Sequence, residues 1–312
     1  MCATVVRVTA GTPVGPGFAP GFTEKGTCGD NVRMQPAQAQ TLVADDGVQI
    51  HAVHWPLRHE LPGHELPGNR PVPGGDPLAL CLVVVHGFTN RVQVPRVQRV
   101  VTRLNAFGAV IAFDMRGHGR SGSVTTLGDA EVRDLTAAVR WARDLGYRSV
   151  VTVGFSMGGS VVVRQAALGP EPVDAVVSVS APAFWYYRGT RVMRLLHRVV
   201  ERPLGRAFMR ARGVRITAQE WAEPLPITPE QAAGLIAHLP LLVVHGTQDH
   251  YFPLEHPRAI HRSAVGAGNA MADLWEIDGF AHAESGIDDQ TLDGIGVWAR
   301  ERVGLSDRRA TC

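Results

Sequence analysis

Lysine is almost missing from this chain: Lys25 is the only one, and arginine supplies the rest of the basic side. That bias reads as a codon habit rather than a binding adaptation, because the formal net charge is only +2 over 312 residues. A chain so nearly neutral has no overall field to attract nucleic acid or an acidic partner. Cysteine is also scarce, with four residues at positions 2, 28, 81 and 312 and no CxxC pair. This spacing indicates neither a disulfide scaffold nor a zinc site. No run reaches the roughly 18 apolar residues that a membrane span requires. The opening MCATVVRVTAGTPVGPGFAPGF lacks a basic segment leading into an unbroken apolar stretch, which argues against a signal peptide. The expectation is a soluble cytoplasmic protein.

What is present is enough for one large domain or two small ones, with 45% hydrophobic residues and 19% charged. Residues 1–40 are rich in Gly, Pro, Thr and Gln without periodicity and read as a disordered extension. Met34, just before the first patterned segment, is an alternative start. TLVADDGVQIHAVHW (41–55) reads as a β-hairpin around Asp46-Gly47. The tandem HELPGHELPG (59–68) invites comparison with the zinc signature HExxH. His59 and His64 are five apart, however, with Pro62 and Gly63 between them, so no helix sets both imidazoles on one face. A slipped duplication in a surface loop is the better reading.

From residue 78 onward apolar runs alternate with helical patterns. The runs are 78–85, 109–113, 149–154, 174–180, 240–246 and 271–278; the helical patterns are 97–108, 129–146, 157–169, 228–239 and 291–304. Continuous Val/Ile/Leu strands separated by helices imply an α/β fold, with a parallel sheet buried on both faces. Residues 183–227 break the rhythm with an arginine-rich helical pattern and read as an insertion over the sheet.

Within VTVGFSMGGS (151–160), Ser156 has glycines at 154, 158 and 159. A nucleophilic hydroxyl must project from a sharp strand-to-helix turn, where side chains two residues away on either side would collide. Gly154 and Gly158 supply that clearance, and Gly159 lets the helix pack closely. Such a serine needs a base and an orienting carboxylate. Among thirteen histidines, His282 in DGFAHAE lies after the last strand, where it can reach the carboxyl end of the sheet. His86 and His245 end buried strands just before glycines and read as structural. Asp249, in the loop past the end of a strand in VVHGTQDHYFP, is preferred as the acid over Asp278, which ends its strand directly. For an oxyanion the expected donors are the backbone N–H groups of Met157, at the start of a helix, and Phe88, after His86-Gly87.

These pieces resemble the α/β-hydrolase superfamily: HGF at 86–88, DMRGHGRS at 114–121, GFSMGG at 154–159, HGTQD at 245–249 and His282, in the family's order over residues 41–304. The resemblance implies the α/β-hydrolase fold: a mostly parallel eight-stranded sheet with helices on both faces and a short helical lid at 183–227. It also implies a Ser-Asp-His triad of Ser156, Asp249 and His282 with no cofactor and no metal. The family's DxxGxGxS turn falls on Asp114, Gly117, Gly119 and Ser121 and reads as structural. Residues 305–312 form a tail. The expected activity is hydrolysis of carboxylic esters with small to medium acyl groups. Thioesterase, C–C hydrolase, perhydrolase and acyltransferase chemistry share the same motifs, as does a binding module that has lost turnover. The lid carries nine arginines against one acid, Glu201, over 184–215. An anionic substrate, contact with a membrane surface, or simply a solvated arginine face are the three readings of that run. Phe184, Trp185, Tyr186 and Tyr187 either wall an apolar pocket or anchor the lid.

Overall fold

The computed structural model describes residues 5–8, 37–57, 76–221 and 223–305. The HELPGHELPG repeat, Met34, Cys2, Cys28, Cys312 and the tail beyond residue 305 lie outside the described residues. Cys81 is a free thiol buried in a strand.

Each apolar run of the sequence forms a strand. The strands are β1 (Val5–Val8), β2 (Gln38–Val43), β3 (Gln49–Trp55), β4 (Leu80–Val85), β5 (Ala109–Phe113), β6 (Ser149–Phe155), β7 (Ala175–Val179), β8 (Leu241–Gly246) and β9 (Ala272–Ile277). They form one sheet in the order β1-β9-β8-β7-β6-β4-β5-β3-β2. Only the β2–β3 and β3–β5 pairs are antiparallel, so β3 alone runs against the rest. The expected eight strands are β2–β9. The expectation of a structureless 1–40 needs correction: Val5–Val8 pair with β9 as a ninth, edge strand, and β2 already begins at Gln38. The VVRV run is β-branched but only four residues long, and the Pro/Gly-rich stretch after it dominates the sequence pattern.

The helices are α1 (Pro95–Leu104), α2 (Glu131–Asp144), α3 (Met157–Leu168), α4 (Arg191–Glu201), α5 (Pro203–Ala211), α6 (Pro229–Ala233), α7 (Glu255–Gly266), α8 (Ala283–Gly286) and α9 (Asp289–Arg302). Alternation along β4 shows how the layers form. Cys81, Val83 and Val85 face one core with residues of α2, α3, α6 and α7, while Leu80, Leu82 and Val84 face the other with α1 and α9. Side chains of a strand point alternately to its two faces, so a strand covered on both sides must be apolar throughout. Complete burial of a Leu or Val contributes roughly 1.5–3 kcal/mol. The helix expected at 228–239 stops early, at Ala233 before Gly234, although Thr228 and Gln231 form the reciprocal cap at its start. Helix α7 was not expected from the sequence.

From β4 the chain steps outward to β5 and then returns to the other side of β4 as β6. Such a reversal opens a crevice at the carboxyl ends of the strands, the usual position of ligands in α/β sheets. The turn DMRGHGRS closes over one side of it. Asp114 accepts hydrogen bonds from Val92 N–H (2.7 Å) and Arg120 N–H (2.9 Å), tying this turn to the loop after β4. Gly119 has a positive φ of 47°, and a Cβ there would fall 2.0 Å from an Asp114 oxygen. Arg116 is only 4% exposed and binds both Asp134 (2.7 Å) and Asp46 (2.7 Å), pinning the turn to α2 and to the hairpin. Removing one partner of such a buried pair strands the other charge. Arg116→Met should therefore destabilise the fold by about 3–5 kcal/mol, read as a drop in the urea midpoint with the slope unchanged.

Candidate active site

Strand β6 runs straight into α3 with a single residue between them, and that residue is Ser156. Its backbone sits at φ +52°, a conformation that L-residues adopt only under strain. The glycines show what enforces it. A Cβ on Gly154 would lie 2.1 Å from the carbonyl of Gly158, and one on Gly158 would lie 2.3 Å from the carbonyl of Val85. A Cβ on Gly159 would press to 2.9 Å from Ala181. The clearance therefore serves backbone approach in three directions: across the turn, against β4 and against the segment after β7.

The structure brings Ser156, His282 and Asp249 into one hydrogen-bonded line. Ser156 Oγ lies 3.0 Å from His282 Nε2, and His282 Nδ1 lies 2.6 Å from Asp249 Oδ2. A carboxylate can only accept, so Nδ1 carries the proton and Nε2 is left as an acceptor for the serine hydroxyl. Asp249 follows β8, and its Oδ1 accepts from the N–H groups of Tyr251 (2.8 Å) and Phe252 (3.0 Å). Burial works to raise its pKa, but the bonds from His282 and Phe252 N–H and the nearby imidazoles outweigh it and hold the carboxyl below the usual value. Asp278, the competitor in the sequence, turns away and accepts from Thr247 Oγ1 at 2.9 Å. His245 donates to the Phe252 carbonyl (2.8 Å) and lies 3.4 Å from Asp249, propping the acid loop from below.

The turn after β4 lies directly against the serine: a Cβ on Gly87 would meet Ser156 Cβ at 3.3 Å. Among the described residues, no hydrogen-bond acceptor takes the N–H of Phe88 or of Met157. The turn is held by His86, whose Nδ1–H donates to Gly87 O (2.8 Å) while Nε2 accepts from Met115 N–H (3.1 Å). That pattern requires a neutral ring, and burial pushes the His86 pKa down to about 4. His118 stacks edge-on between His86 and Phe88, at 5.2 and 5.8 Å between centroids. Burial, then the neighbouring His86, lowers its pKa also to about 4.

Two residues in these loops escaped sequence reasoning. Glu284, two residues past His282, is 3% exposed and accepts the Gly87 N–H at 2.7 Å. It fastens the histidine loop to the turn after β4. HAE offered a weak signal, an acid placed next to the candidate base, but only the fold shows its partner. Tyr251 stacks on the His282 ring with centroids 4.2 Å apart, and its carbonyl accepts from Thr190 Oγ1 (3.0 Å). Thr190 is also the N-cap of α4, accepting from Met193 N–H at 3.3 Å.

A pocket of about 490 Å³ opens above Ser156, in the usual size range for small-molecule sites. Phe88, Leu127, Met157 and Phe252 line its inner end. The 183–227 insertion supplies the opposite wall through Trp185, Met193, Leu196 and Val200. Both sequence readings of the aromatic run hold: Phe184, Trp185, Tyr186 and Tyr187 all line the pocket, and Phe184 and Tyr187 pack on His256 of α7 with ring centroids 5.3 and 4.3 Å apart. Trp221, which the sequence reading passed over, packs on Trp185 at 4.7 Å. Among the described residues, no group of three His, Cys, Asp or Glu could hold a metal ion.

Comparison with known proteins agrees with this architecture. The model of the serine aminopeptidase family S33 matches residues 76–222. A monoacylglycerol lipase of Mycolicibacterium smegmatis is 29% identical over 226 residues, covering 60% of this chain and 76% of the lipase. A protein of Mycobacterium phage D29 named as a non-heme haloperoxidase is 38% identical over 104 residues, covering 33% of this chain. The match spans only 36% of that phage protein. Among solved structures, an esterase of Pyrococcus furiosus superposes with a TM-score of 0.64 at 20% identity, covering 86% of this chain and 94% of the esterase.

Burial raises the Glu284 pKa, against the hydrogen bonds from Gly87 and Asn90 that lower it. A carboxyl raised above its unfolded value, about 4.3 for Glu, stabilises fully below that value and loses this contribution as pH rises through the folded pKa. Glu284→Gln does not titrate there. The variant should gain stability relative to wild type as pH is raised from about 4 to about 8. Urea midpoints across that range check this, and a difference constant with pH contradicts it.

Proposed function

As the chain belongs to the α/β-hydrolase superfamily, we propose that it is a serine hydrolase cleaving carboxylic esters through an acyl-enzyme. The reading rests on one observation above all: Ser156 stands at positive φ between strand and helix, 3.0 Å from an imidazole whose other nitrogen meets Asp249 at 2.6 Å. Ser156 Oγ attacks the acyl carbonyl carbon while His282 Nε2 takes its proton. Asp249 holds the imidazole in that tautomer and stabilises the imidazolium. The Phe88 and Met157 N–H groups, which have no acceptor among the described residues, take the oxyanion. On collapse His282 returns the proton to the departing alcohol. It then draws a proton from water, which attacks the acyl carbon and releases the acid and free Ser156.

The apolar inner end of the pocket suits the acyl group, and His197, Glu201 and Glu220 at its lining suit a more polar part of the substrate. Resemblance to a monoacylglycerol lipase and an esterase supports ester over amide chemistry. A cytoplasmic location belongs to the same proposal. Among the described residues, no helix is long and apolar enough to cross a membrane.

Ser156→Ala should lower p-nitrophenyl butyrate turnover by at least about a thousandfold and abolish labelling by a fluorophosphonate. Undiminished labelling of the variant overturns the role of Ser156. Labelling of wild type without turnover across an acyl-chain series would instead favour a binding module. Asp249→Asn, which costs the correct tautomer, should reduce kcat by roughly ten-thousandfold while fluorescence and circular dichroism report an intact fold.

A further inference from the structure

The formal net charge of the whole chain is +2, yet residues 184–215 hold nine arginines and one acid. The segment therefore carries +8 and the remainder −6, a strong polarity in a molecule that is nearly neutral overall. Of the nine arginines, only Arg188 meets a carboxylate among the described residues, that of Glu201. Of the other eight, Arg194, Arg206 and Arg215 donate to backbone carbonyls, and none meets a carboxylate among the described residues.

Their placement is ordered. Helix α4 turns Met193, Leu196, His197 and Val200 to the pocket. Arg191, Leu195, Arg198 and Arg202 recur at i, i+4, i+7 and i+11 on the opposite stripe. Leu195 is 61% exposed there. On α5, Leu204 and Phe208 lie four residues apart and are 86% and 58% exposed, while Met209 is buried. The Arg212 guanidinium lies 5.8 Å from the centre of the Phe208 ring. Large apolar side chains standing out between unpaired arginines do not fit a solvated face, which gains nothing from Leu204 or Phe208 in water. They also do not fit a simple polyanion, which would select the charges without the apolar groups. A second copy applied face to face would oppose two segments of +8.

We propose that the outer face of α4–α5 docks on an anionic lipid surface, with Leu195, Leu204 and Phe208 entering the interface and the arginines meeting headgroup phosphates. Basic side chains bind such surfaces by roughly 1 kcal/mol each, and apolar groups between them add burial. The acidic remainder of the molecule is repelled, so the same charge separation sets the orientation. An ester held in that surface then approaches α4 from outside, while the inner side of the helix lines the pocket above Ser156. Docking goes beyond the hydrolase reading and needs no turnover.

Sedimentation with phosphatidylcholine vesicles, with and without phosphatidylglycerol, tests it on the full chain. Wild type should pellet only with the anionic vesicles and dissociate as ionic strength approaches about 1 M. The triple variant R191A/R198A/R202A should bind on the order of a hundredfold more weakly, at roughly fivefold per arginine. L204S/F208S should also weaken binding. None of these five residues lines the pocket, so both variants should keep wild-type turnover of soluble p-nitrophenyl butyrate, which also shows that they fold. Equal binding to neutral vesicles, no binding by wild type, or unchanged binding by the triple variant overturns the proposal. So does a concentration-dependent dimer, lost in L204S/F208S, that forms without vesicle binding: it would assign the face to a second copy. If wild type binds vesicles but turns over no ester, the hydrolase reading fails and the docking stands.

Discussion

The first turn of α3 approaches the end of β4 so closely that only a glycine fits between them: Gly158 lies against the carbonyls of Val85 and His86. The rest of the site follows from that contact. It holds Ser156 at positive φ with its hydroxyl raised, and it sets the start of a helix beside the turn that carries Phe88. The sheet order makes the approach available, because β4 and β6 are neighbours although β5 lies between them in sequence. The strain at one serine is thus sustained by two buried layers that cannot move apart without opening the core.

Around this contact the polar groups form a closed set of loop-to-loop bonds. Asp249 draws two backbone N–H groups of its own loop and the ring of His282. Glu284 reaches from the histidine loop to Gly87, and neutral His86 locks the far side of the same turn. Asp114 continues the chain of bonds to the loop after β4. Each loop at the carboxyl edge is therefore positioned by another loop as well as by its own strand. This is how irregular segments reach the precision that strands possess by themselves.

Much of this was legible in the amino-acid sequence, for reasons that can be stated residue by residue. Strands buried on both faces must be apolar throughout, so six of them stood out. The glycines at 154 and 158 signalled a close approach, though not that the partner was the carbonyl of Val85. Asp249 stands clear of its strand end, whereas Asp278 ends its strand directly, four residues before His282, a separation that rarely brings a carboxylate onto the same imidazole. The illegible parts depend on contacts between distant segments. Glu284 acquires meaning only from a glycine 197 positions away. Trp221 does so only beside Trp185. Helix α7, carrying Pro257 and four basic or imidazole groups, lacked a clean apolar stripe. Val5–Val8 were too short to outweigh the glycines and prolines that follow.

Thr190 gives the insertion a fixed root. Its hydroxyl caps α4 and at the same time holds the carbonyl of Tyr251, whose ring lies flat on His282. The far end of α4 is held as well: Val200 clusters with Met209, Val214 and Ile216, and Glu201 pairs with Arg188. At the near end, one hydroxyl ties the helix that walls the pocket to the aromatic ring stacked on the imidazole. The outer wall of the pocket and the support of the imidazole thus meet at a single threonine side chain.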